Sequence, residues 1–599
     1  MSKPVWIAGI ARGHNAGVCL LKDGEVVFSI EEERLSRQKY DGGPFASMVK
    51  ILEYTKKLDY LVVAHTQPLQ ETAGRVDYSG DDVYTGLARK LGLIDKKTNA
   101  TSMEHPQVID LAFMHHKLHS ACAFYRSGFD SAVSVIVDGA GTFVPLGINN
   151  EQIMSWETES IIDCDYPSDF STLHKVYGTR EPIQGGIVQM DSKQFGENGR
   201  THTAVVSDRA GIVKAYEAAT MYCGWSSIEA GKTMGLFPYG KPNDKFPKLF
   251  EDGADYPLTN RNIVVPNYPN GAFINAGMYD ELNKVTPPGE DCTKLDSRRD
   301  VAYAVQTQTQ EEVLKLILKA VELTGKNKVV LSGGYGLNCV ANYHYLTTLR
   351  EKGIELYVEP VSNDAGTAMG AAMMFWYGLE ENKDKRQSQT LYLGPKYCYD
   401  DKEIGHLVDD VNATMEKTDV SKVVELIKNR NIVTIFQGGS ENGPRALGNR
   451  SILYDPSDPD GKDFVNKVKH REYFRPFAGT ILQEDVHDWF DLRGMKDSPH
   501  MMYAVNCQPG IEEKIPCIIH VDGTCRIQTV TKEQNEHYYE LIKEFKKQTG
   551  IPIIFNTSFN LGGEPLVETL EDALWTLQQS EIEYLYLPEY NRLITLKNA

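Results

Sequence analysis

Ten cysteines in 599 residues include no C-x-x-C pair, and the nearest two, Cys517 and Cys525, have no metal-site rhythm. That excludes a zinc ribbon or a disulfide framework and points to a reducing compartment. The opening MSKPVWIAGIARGHNAG lacks the apolar run and cleavage site of a signal peptide, and no segment is long and apolar enough to span a bilayer. The expectation is a cytoplasmic protein with no membrane partner. Positive charge is also short: 63 Lys and Arg against 82 Asp and Glu leave a net charge of −19. Such a surface argues against broad adhesion to nucleic acid but leaves room for one local basic pocket. There is no low-complexity tract and no solenoid repeat, yet the chain is too long for one core.

What is present is an alternation of strands, glycine turns and helices, the pattern of a layered α/β protein. VWIAGIARGHNAGVCLLKDGEVVFSIEEE reads as a strand, a turn and a hairpin closed at KDGE. A similar outline returns at SAVSVIVDGAGTFVPLGINNEQIMSWETE, with a polar turn at INNEQ, so a duplicated core is expected. KNKVVLSGGYGLNCVANYHYL and IELYVEPVSNDAGTAMGAAMMFWYG add two strand–turn–helix units. Residues 142–290, rich in Gly, Pro, Asp and Asn, look inserted. The polar stretch 379–390 marks a boundary, giving domains 1–385 and 386–599.

In FMHHKLHSACAF (113–124), His115 and His119 are four residues apart and share one helix face, while His116 points elsewhere. Alone, such a pair is better read as two satisfied core histidines. Asp138 ends the apolar strand VSVIVDG, and Asp364, in VSNDAGTAMG, takes an equivalent post-strand position. Two imidazoles and two carboxylates suit a divalent ion such as iron, manganese or zinc. The competing readings are an Asp-Gly turn for Asp138 and a helix cap for Asp364.

The turns DGAGT (Gly139, Gly141) and SGGYG (Gly333, Gly334) follow apolar strands, where backbone N–H groups can cradle phosphate. Neither is a Walker loop or a G-x-G-x-x-G, and simple turn chemistry competes. Lys232, in EAGKTMGLFPYG, could meet phosphate or be a solvated loop lysine. The most specific signal is GPRALGNRSIL with KVKHREYFRPFAG: Arg445, Arg450, Lys467, Lys469, Arg471 and Arg475 crowd a short span among rigid Gly, Pro and Phe residues. Guanidinium groups recognise phosphate and carboxylate bidentately, so a small, multiply charged anion is predicted. His520, Arg526, Ser558 and Asn560 sit at later strand ends and could complete that pocket or serve as turn hydrogen bonders.

These motifs resemble the O-carbamoyltransferases of the nodulation and antibiotic-biosynthesis type, nearly end to end, from HNAGVCLLKDGEVVFSIEEERLSRQK through HHKLHSACAFYRSGFDSAVSVIVDGAG and LSGGYGLNCVAN to NTSFNLGGEPLV. The resemblance implies an actin-like, metal- and nucleotide-binding N-terminal domain, with Gly139, Gly141, Gly333, Gly334 and Asn338 on its nucleotide side. It implies a YrdC-like C-terminal domain whose K-x-R…S-x-N signature falls on Lys469, Arg471, Ser558 and Asn560. Carbamoyl phosphate and ATP, with magnesium, would bind there through Arg445, Lys469, Arg471, Arg475, His520, Arg526, Ser558 and Asn560. Carbamoyl-adenylate would form, move internally to the N-terminal domain and pass its carbamoyl group to an acceptor hydroxyl. The family's metal, typically iron, matches His115, His119, Asp138 and Asp364. His14 is the candidate base or orienter, a turn-capping histidine being the equal alternative, and Lys232, Arg445, Lys469 and Arg471 are further candidate catalytic groups. Asn15 stands where the family usually has Asp, and Thr142 where Glu is usual, both on the acceptor or phosphate side.

Three functions therefore stand: an ATP-dependent O-carbamoyltransferase, a synthase of the tRNA threonylcarbamoyladenosine type, and a non-catalytic actin-like nucleotide-binding module. The acidic charge and the lack of a basic tract weigh against the second, and the intact motifs against the third. A sugar, an antibiotic precursor or a hydroxymethylated pyrimidine, free or in DNA, would each offer a hydroxyl, and a homodimer is compatible with the sequence.

Overall fold

The computed structural model of the protein describes residues 3–67, 83–96, 105–148, 151–192, 200–267, 271–286, 291–379 and 390–596. The chain divides into one unit made of Met1–Val27 and Gly42–Gln389, and a second made of Phe28–Asp41 and Thr390–Ala599. Both are mixed α/β. The centre of the INNEQ turn and most of the polar stretch 379–390 lie outside the described residues. Among the described residues, no helix is long and apolar enough to cross a membrane.

The first unit is built around two sheets. Strands β1 (Trp6–Ala11), β2 (Gly17–Lys22), β3 (Glu25–Glu31), β4 (Tyr60–Ala64) and β5 (Val108–Asp110) lie in the order β3-β2-β1-β4-β5. β1 runs antiparallel to β2 and parallel to β4, and β4 runs parallel to β5. Asp23 and Gly24 have φ of 50° and 80°, so the KDGE hairpin closes through the left-handed pair that a two-residue turn demands.

The second sheet contains β6 (Ser131–Val137), β7 (Phe143–Ile148), β8 (Glu151–Asp165), β9 (Asp169–Thr179), β10 (Ile187–Ser192) and β11 (His202–Ser207). A ribbon of β12 (Val264–Asn267) and β13 (Gly271–Ile274) stands apart from it, and β14 (Lys328–Ser332) and β15 (Glu355–Val358) complete it. Its order is β10-β11-β9-β8-β6-β14-β15, with β7 on β8. β6 is antiparallel to β8 and parallel to β14, which is parallel to β15. The run β9-β8-β6-β14-β15 thus repeats β3-β2-β1-β4-β5, the duplication expected from the two glycine-turn outlines.

The stretch 142–290 is not simply an insertion. β8 pairs with β6 without a break from Ser131↔Asp165 to Val137↔Glu159, so the chain through β11 is integral to the sheet. Its turn-rich composition belongs to the residues after β11.

Helices His115–Ser127 and Ala365–Gly378 pack backbone to backbone in this unit. A Cβ at Gly370 would lie 1.9 Å from the Leu118 carbonyl oxygen, and one at Gly9 of β1 would lie 1.9 Å from the Ala368 oxygen. Only small residues permit that approach, and it sets the spacing between the two helices that carry His115, His119 and Asp364. At the far end of the first helix, Arg126 Nε donates to both Glu359 carboxylate oxygens at 3.1 Å, and both side chains are fully buried.

The second unit has a ten-stranded sheet of β16 (Ala413–Lys417), β17 (Val433–Phe436), β18 (Arg450–Tyr454), β19 (Ala478–Leu482), β20 (Phe490–Asp491), β21 (Ala504–Cys507), β22 (Thr524–Val530), β23 (Ile553–Ser558), β24 (Tyr584–Leu587) and β25 (Arg592–Leu596). Helices Val420–Lys428 and Glu536–Thr549 bury Val423, Ile427, Leu541 and Phe545 against Val433, Leu453, Leu482 and Ile554.

Residues 28–41, assigned to the first domain by the sequence reading, belong to this unit. Arg34 donates to the Gly443 carbonyl at 2.7 Å and Arg37 to the Leu566 carbonyl at 2.6 Å. Ser29 bonds to Leu393 and Asn442. Of the charged run that follows the first hairpin, Arg34 is thus spent on the turn at Gly443 and Arg37 on the segment Pro565–Leu566.

Candidate functional site

The histidine helix starts at His115 itself, so both paired histidines lie in its first two turns. Their Nε2 atoms face each other at 3.2 Å. Asp138 Oδ2 lies 3.4 Å from His115 Nε2 and 3.9 Å from His119 Nε2, and Asp364 Oδ1 lies 3.6 and 3.7 Å from the same atoms. One donor atom from each of the four residues falls within 4.8 Å of all the others.

Two neutral imidazoles do not ordinarily aim ring nitrogens at one another beside two carboxylates unless a positive charge sits among them. Metal–ligand bonds of about 2.0–2.2 Å place neighbouring ligand atoms roughly 3–3.5 Å apart, close to what is found, so the donor set fits a divalent ion. In the bare protein a proton takes that place. Burial opposes charge on His115, but hydrogen bonding to Asp138 and Asp364 and their charges outweigh it and raise its pKa to about 10. Burial likewise opposes charge on the two carboxyls, and the imidazoles overcome it, holding both well below the usual carboxylate range.

Each aspartate has a second oxygen with its own task. Asp138 Oδ1 accepts from the Gly334 N–H at 3.1 Å. Asp364 Oδ2 lies 3.7 Å from His14 Nδ1, and the His14 side chain is 52% exposed. Asp364 makes no cap hydrogen bond to the helix it precedes. The helix-cap reading of that residue therefore fails, and its carboxylate turns to the histidines.

The glycines read as phosphate cradles have steric work in this arrangement. Gly333 has φ of 86° and passes so close to β6 that a Cβ would sit 2.4 Å from the Val137 oxygen. A Cβ at Gly141 would lie 2.6 Å from the His116 ring and 2.7 Å from Glu157 Oε2. Gly139 faces Glu217 and Lys214. Asn338 caps helix Cys339–Glu351 through the Ala341 N–H and pairs with Gln306, which occupies its amide. Lys232 is on helix Ala230–Leu236 rather than on a loop, and pairs with Glu229 at 2.8 Å. His116 bonds to Ser160 Oγ at 2.7 Å, and burial lowers its pKa to about 4, so it is neutral.

Neighbours of the centre that the sequence reading missed are His65, Lys214, Glu217 and Glu157. His65 follows β4, and burial together with the Arg12 charge lowers its pKa to about 4. Lys214 Nζ bonds to both Glu217 oxygens at 3.0 and 2.9 Å beside Gly139. Burial raises the Glu217 pKa against the pull of Lys214, with Asp138 adding to the rise. Burial opposes charge on Glu157, but Lys175 and His116 lower its pKa to about 2. A histidine directly after a parallel strand was a usable signal for His65; the others become visible only through sheet register.

In the second unit, Lys469 is 1% exposed and donates to the Ser558 carbonyl, to the Asn560 carbonyl at 2.7 Å and to Asn560 Oδ1 at 3.3 Å. Ser558 Oγ donates to Asn560 Oδ1 at 2.6 Å. Residues some ninety positions apart in sequence are thus one cluster. Arg471 reaches Thr557 Oγ1 at 3.5 Å and lies 5.2 Å from the Phe477 ring centroid. Its pKa is depressed well below the usual value by burial and then by the charges of Arg475 and Arg526. Burial, with Arg471 and Arg475, likewise depresses Lys469. Cationic groups thus crowd together here, with Glu472 3.5 Å from Arg475.

Arg450, by contrast, is structural. It donates to the carbonyls of Gln437, Gly438, Asn449 and Glu568, and lies 3.7 Å from the Phe436 ring centroid. Arg445 is half-buried on the turn between Gly443 and Gly448, and His520 is buried in the turn leading to β22, where its N–H bonds to the Thr524 carbonyl.

Residues 91–373 match the family model described as Carbamoyltransferase N-terminus, and residues 424–592 the one described as Carbamoyltransferase C-terminus. The nodulation protein NolNO of Sinorhizobium fredii is 29% identical over 96% of this chain and 78% of its own length. An uncharacterized protein of Methanocaldococcus jannaschii, MJ1058, is 30% identical over 80% of this chain and 73% of its own. Among solved structures, full-length HypF in its phosphate- and nucleotide-bound form is 14% identical with a TM-score of 0.34, covering 64% of this chain and 56% of that one. With both halves of the chain matched, the protein belongs to the carbamoyltransferase family and is an enzyme of carbamoyl transfer.

Proposed function

We propose that the protein uses ATP to move the carbamoyl group of carbamoyl phosphate, by way of carbamoyl-adenylate, to a hydroxyl of a small molecule or a modified nucleoside. The observation that carries this reading is the convergence of His115, His119, Asp138 and Asp364 in one unit of a carbamoyltransferase. The crowding of Lys469, Arg471, Arg475 and Arg526 in the other unit, where burial and neighbouring cations depress Lys469 and Arg471, supports it.

In the second unit, water cleaves the O–P bond of carbamoyl phosphate, releasing inorganic phosphate and carbamate, and the carbamate oxygen then attacks the α-phosphorus of ATP as pyrophosphate leaves. Arg471, Arg475 and Arg526 neutralise the phosphate charge, and Lys469 holds the turn carrying Ser558 and Asn560 in place. In the first unit, the acceptor oxygen attacks the carbamoyl carbon, the C–O bond to the adenylate breaks and AMP departs. His14, half-exposed and tied to Asp364, takes the acceptor's proton. His115, His119, Asp138 and Asp364 would hold the divalent ion, iron first among the choices, which supplies Lewis acidity for the carbonyl and countercharge for the leaving phosphate.

Incubating the protein with ATP and carbamoyl phosphate should release pyrophosphate, and acceptors screened by mass should gain one carbamoyl group. Turnover that needs threonine and bicarbonate instead would refute the assignment.

A further inference from the structure

The histidine helix opens with a problem of satisfaction. Its cap residue is Met114, which has no side-chain acceptor, while His115 and His116 at its start are 2% and 0% exposed. The first N–H groups of a helix have no partner within it, and leaving them bare in a buried place is costly. Here the partners come from a neighbouring strand and turn. Thr142 Oγ1 accepts from the His115 N–H at 3.1 Å and donates to the Ala112 carbonyl at 3.0 Å. Glu157 Oε2 accepts from the Thr142 N–H at 2.9 Å and from the His116 N–H at 3.4 Å. Lys175 Nζ stands against the other Glu157 oxygen, so the buried anion is paired. Backbone bonds from Gly141 to Glu157 and from Glu157 to Thr142 lock turn and strand in register. A carboxylate at a helix N-terminus also meets the positive end of the helix dipole.

A second observation gives this cap a task beyond stability. Metal-binding imidazoles are ordinarily aimed by a hydrogen bond from the other ring nitrogen to an acceptor in the protein. His115 Nδ1 and His119 Nδ1 are both buried, and neither has a partner among the described residues. With that device missing, the position of each ring is inherited from the backbone that carries it, and the backbone at His115 is held by Thr142 and Glu157.

We infer that Thr142 and Glu157 are positioning residues for the metal centre, an in-trans cap that fixes where His115 and His119 present their Nε2 atoms. The inference rests on the reading of those histidines as metal ligands. It concerns placement only: neither residue is among the four whose donor atoms converge.

Mn²⁺ titrated into the full-length protein, with free ion read by paramagnetic resonance, tests both layers. His115→Ala should abolish binding. Thr142→Val, which removes both hydroxyl bonds, should weaken it about 10–100-fold, the usual cost of losing a supporting contact at a metal site. Thr142→Ser, which keeps them, should restore wild-type affinity. Glu157→Gln, an uncharged acceptor facing Lys175, should weaken binding in the same direction. Hydrogen exchange at the His115 and His116 amides should quicken in Thr142→Val and not in Thr142→Ser. Wild-type affinity in both Thr142→Val and Glu157→Gln, alongside loss in His115→Ala, would overturn the positioning role while sparing the metal reading. Failure of the wild-type protein to bind the ion would remove both.

Discussion

Gly370 holds the helix that follows Asp364 against the histidine helix and so bears on the spacing of the proposed metal centre. It lies on the helix that begins after Asp364, and a Cβ there would sit 1.9 Å from the Leu118 carbonyl oxygen and 2.8 Å from its carbon. Those are backbone atoms, so no rotamer can move them aside. Carbon–oxygen contacts close to about 3.3 Å at best, so Gly370→Ala must drive the two helices apart by about 1.4 Å. Leu118 immediately precedes His119, and the displaced helix carries both imidazoles away from Asp364. Ligand distances in a metal site tolerate about 0.2 Å, several times less than the forced shift.

The substitution should therefore weaken Mn²⁺ binding by well over tenfold and destabilise the first unit by about 1–3 kcal/mol, the usual penalty for overpacking. Gly378→Ala is the matched control: it lies on the same helix, with nothing within 4 Å of the added carbon. Thermal melting followed by circular dichroism, together with a metal titration on both variants, decides the matter. If Gly370→Ala melts and binds like Gly378→Ala, the helix contact does not set the site and the reasoning fails.

Three further outcomes are expected. His115→Ala should lose metal and carbamoyl transfer while pyrophosphate release from ATP and carbamoyl phosphate continues, as measured by a coupled pyrophosphate assay. Arg471→Met should do the reverse, raising the KM for carbamoyl phosphate at least tenfold while metal content by elemental analysis is unchanged; an unaltered KM would remove Arg471 from the anion pocket. The third concerns pH. In the metal-free protein His115 keeps its proton up to about pH 10, against an ordinary value of 6.5. Binding a metal below that pH must expel the proton, so affinity should rise up to about tenfold per unit as pH climbs from 7 toward 10. Conversely, the stability that the raised pKa gives the metal-free fold is complete below 6.5 and lost as pH rises through 10. Calorimetry in two buffers of different ionisation enthalpy counts the proton, and a count of zero at pH 8 contradicts the charge state assigned to His115.

Some of this was legible in the sequence for local reasons. The i, i+4 spacing of His115 and His119 fixes a shared face on any helix, and KDGE closes a hairpin by its own backbone preferences. The two glycine-turn outlines foretold the repeated strand order because each turn follows a buried parallel strand. What stayed hidden depends on register between distant strands. Glu157 is one of several acidic residues on a long strand, and only the pairing of β7 with β8 brings it to Thr142 and the helix start. Lys214 and Glu217 look like an exposed i, i+3 ion pair until the turn at Gly139 is laid against them. Composition misled over residues 142–290, because their turn-rich second half masked strands that complete the sheet. Residues 28–41 misled for a related reason: nothing local shows that Arg34 and Arg37 answer carbonyls more than four hundred positions away.

The glycines carry the widest lesson for the site. A glycine after a buried strand can expose backbone N–H groups to a phosphate, or it can let another segment come close, and sequence does not separate the two. At Gly141 and Gly333 the second role is visible: one admits His116 and Glu157, the other admits β6. Gly334 shows that the roles can merge, since its N–H is spent on Asp138 Oδ1 and thereby turns Oδ2 toward the histidines. The same backbone donor that a nucleotide-binding loop would offer to phosphate here aims a carboxylate of the proposed metal centre. Replacing Gly333 with alanine would add strain at φ of 86° and a clash with Val137, and would shift Asp138 through Gly334. A loss of metal affinity in that variant, with AMP affinity unchanged, would separate the steric role from a phosphate-binding one.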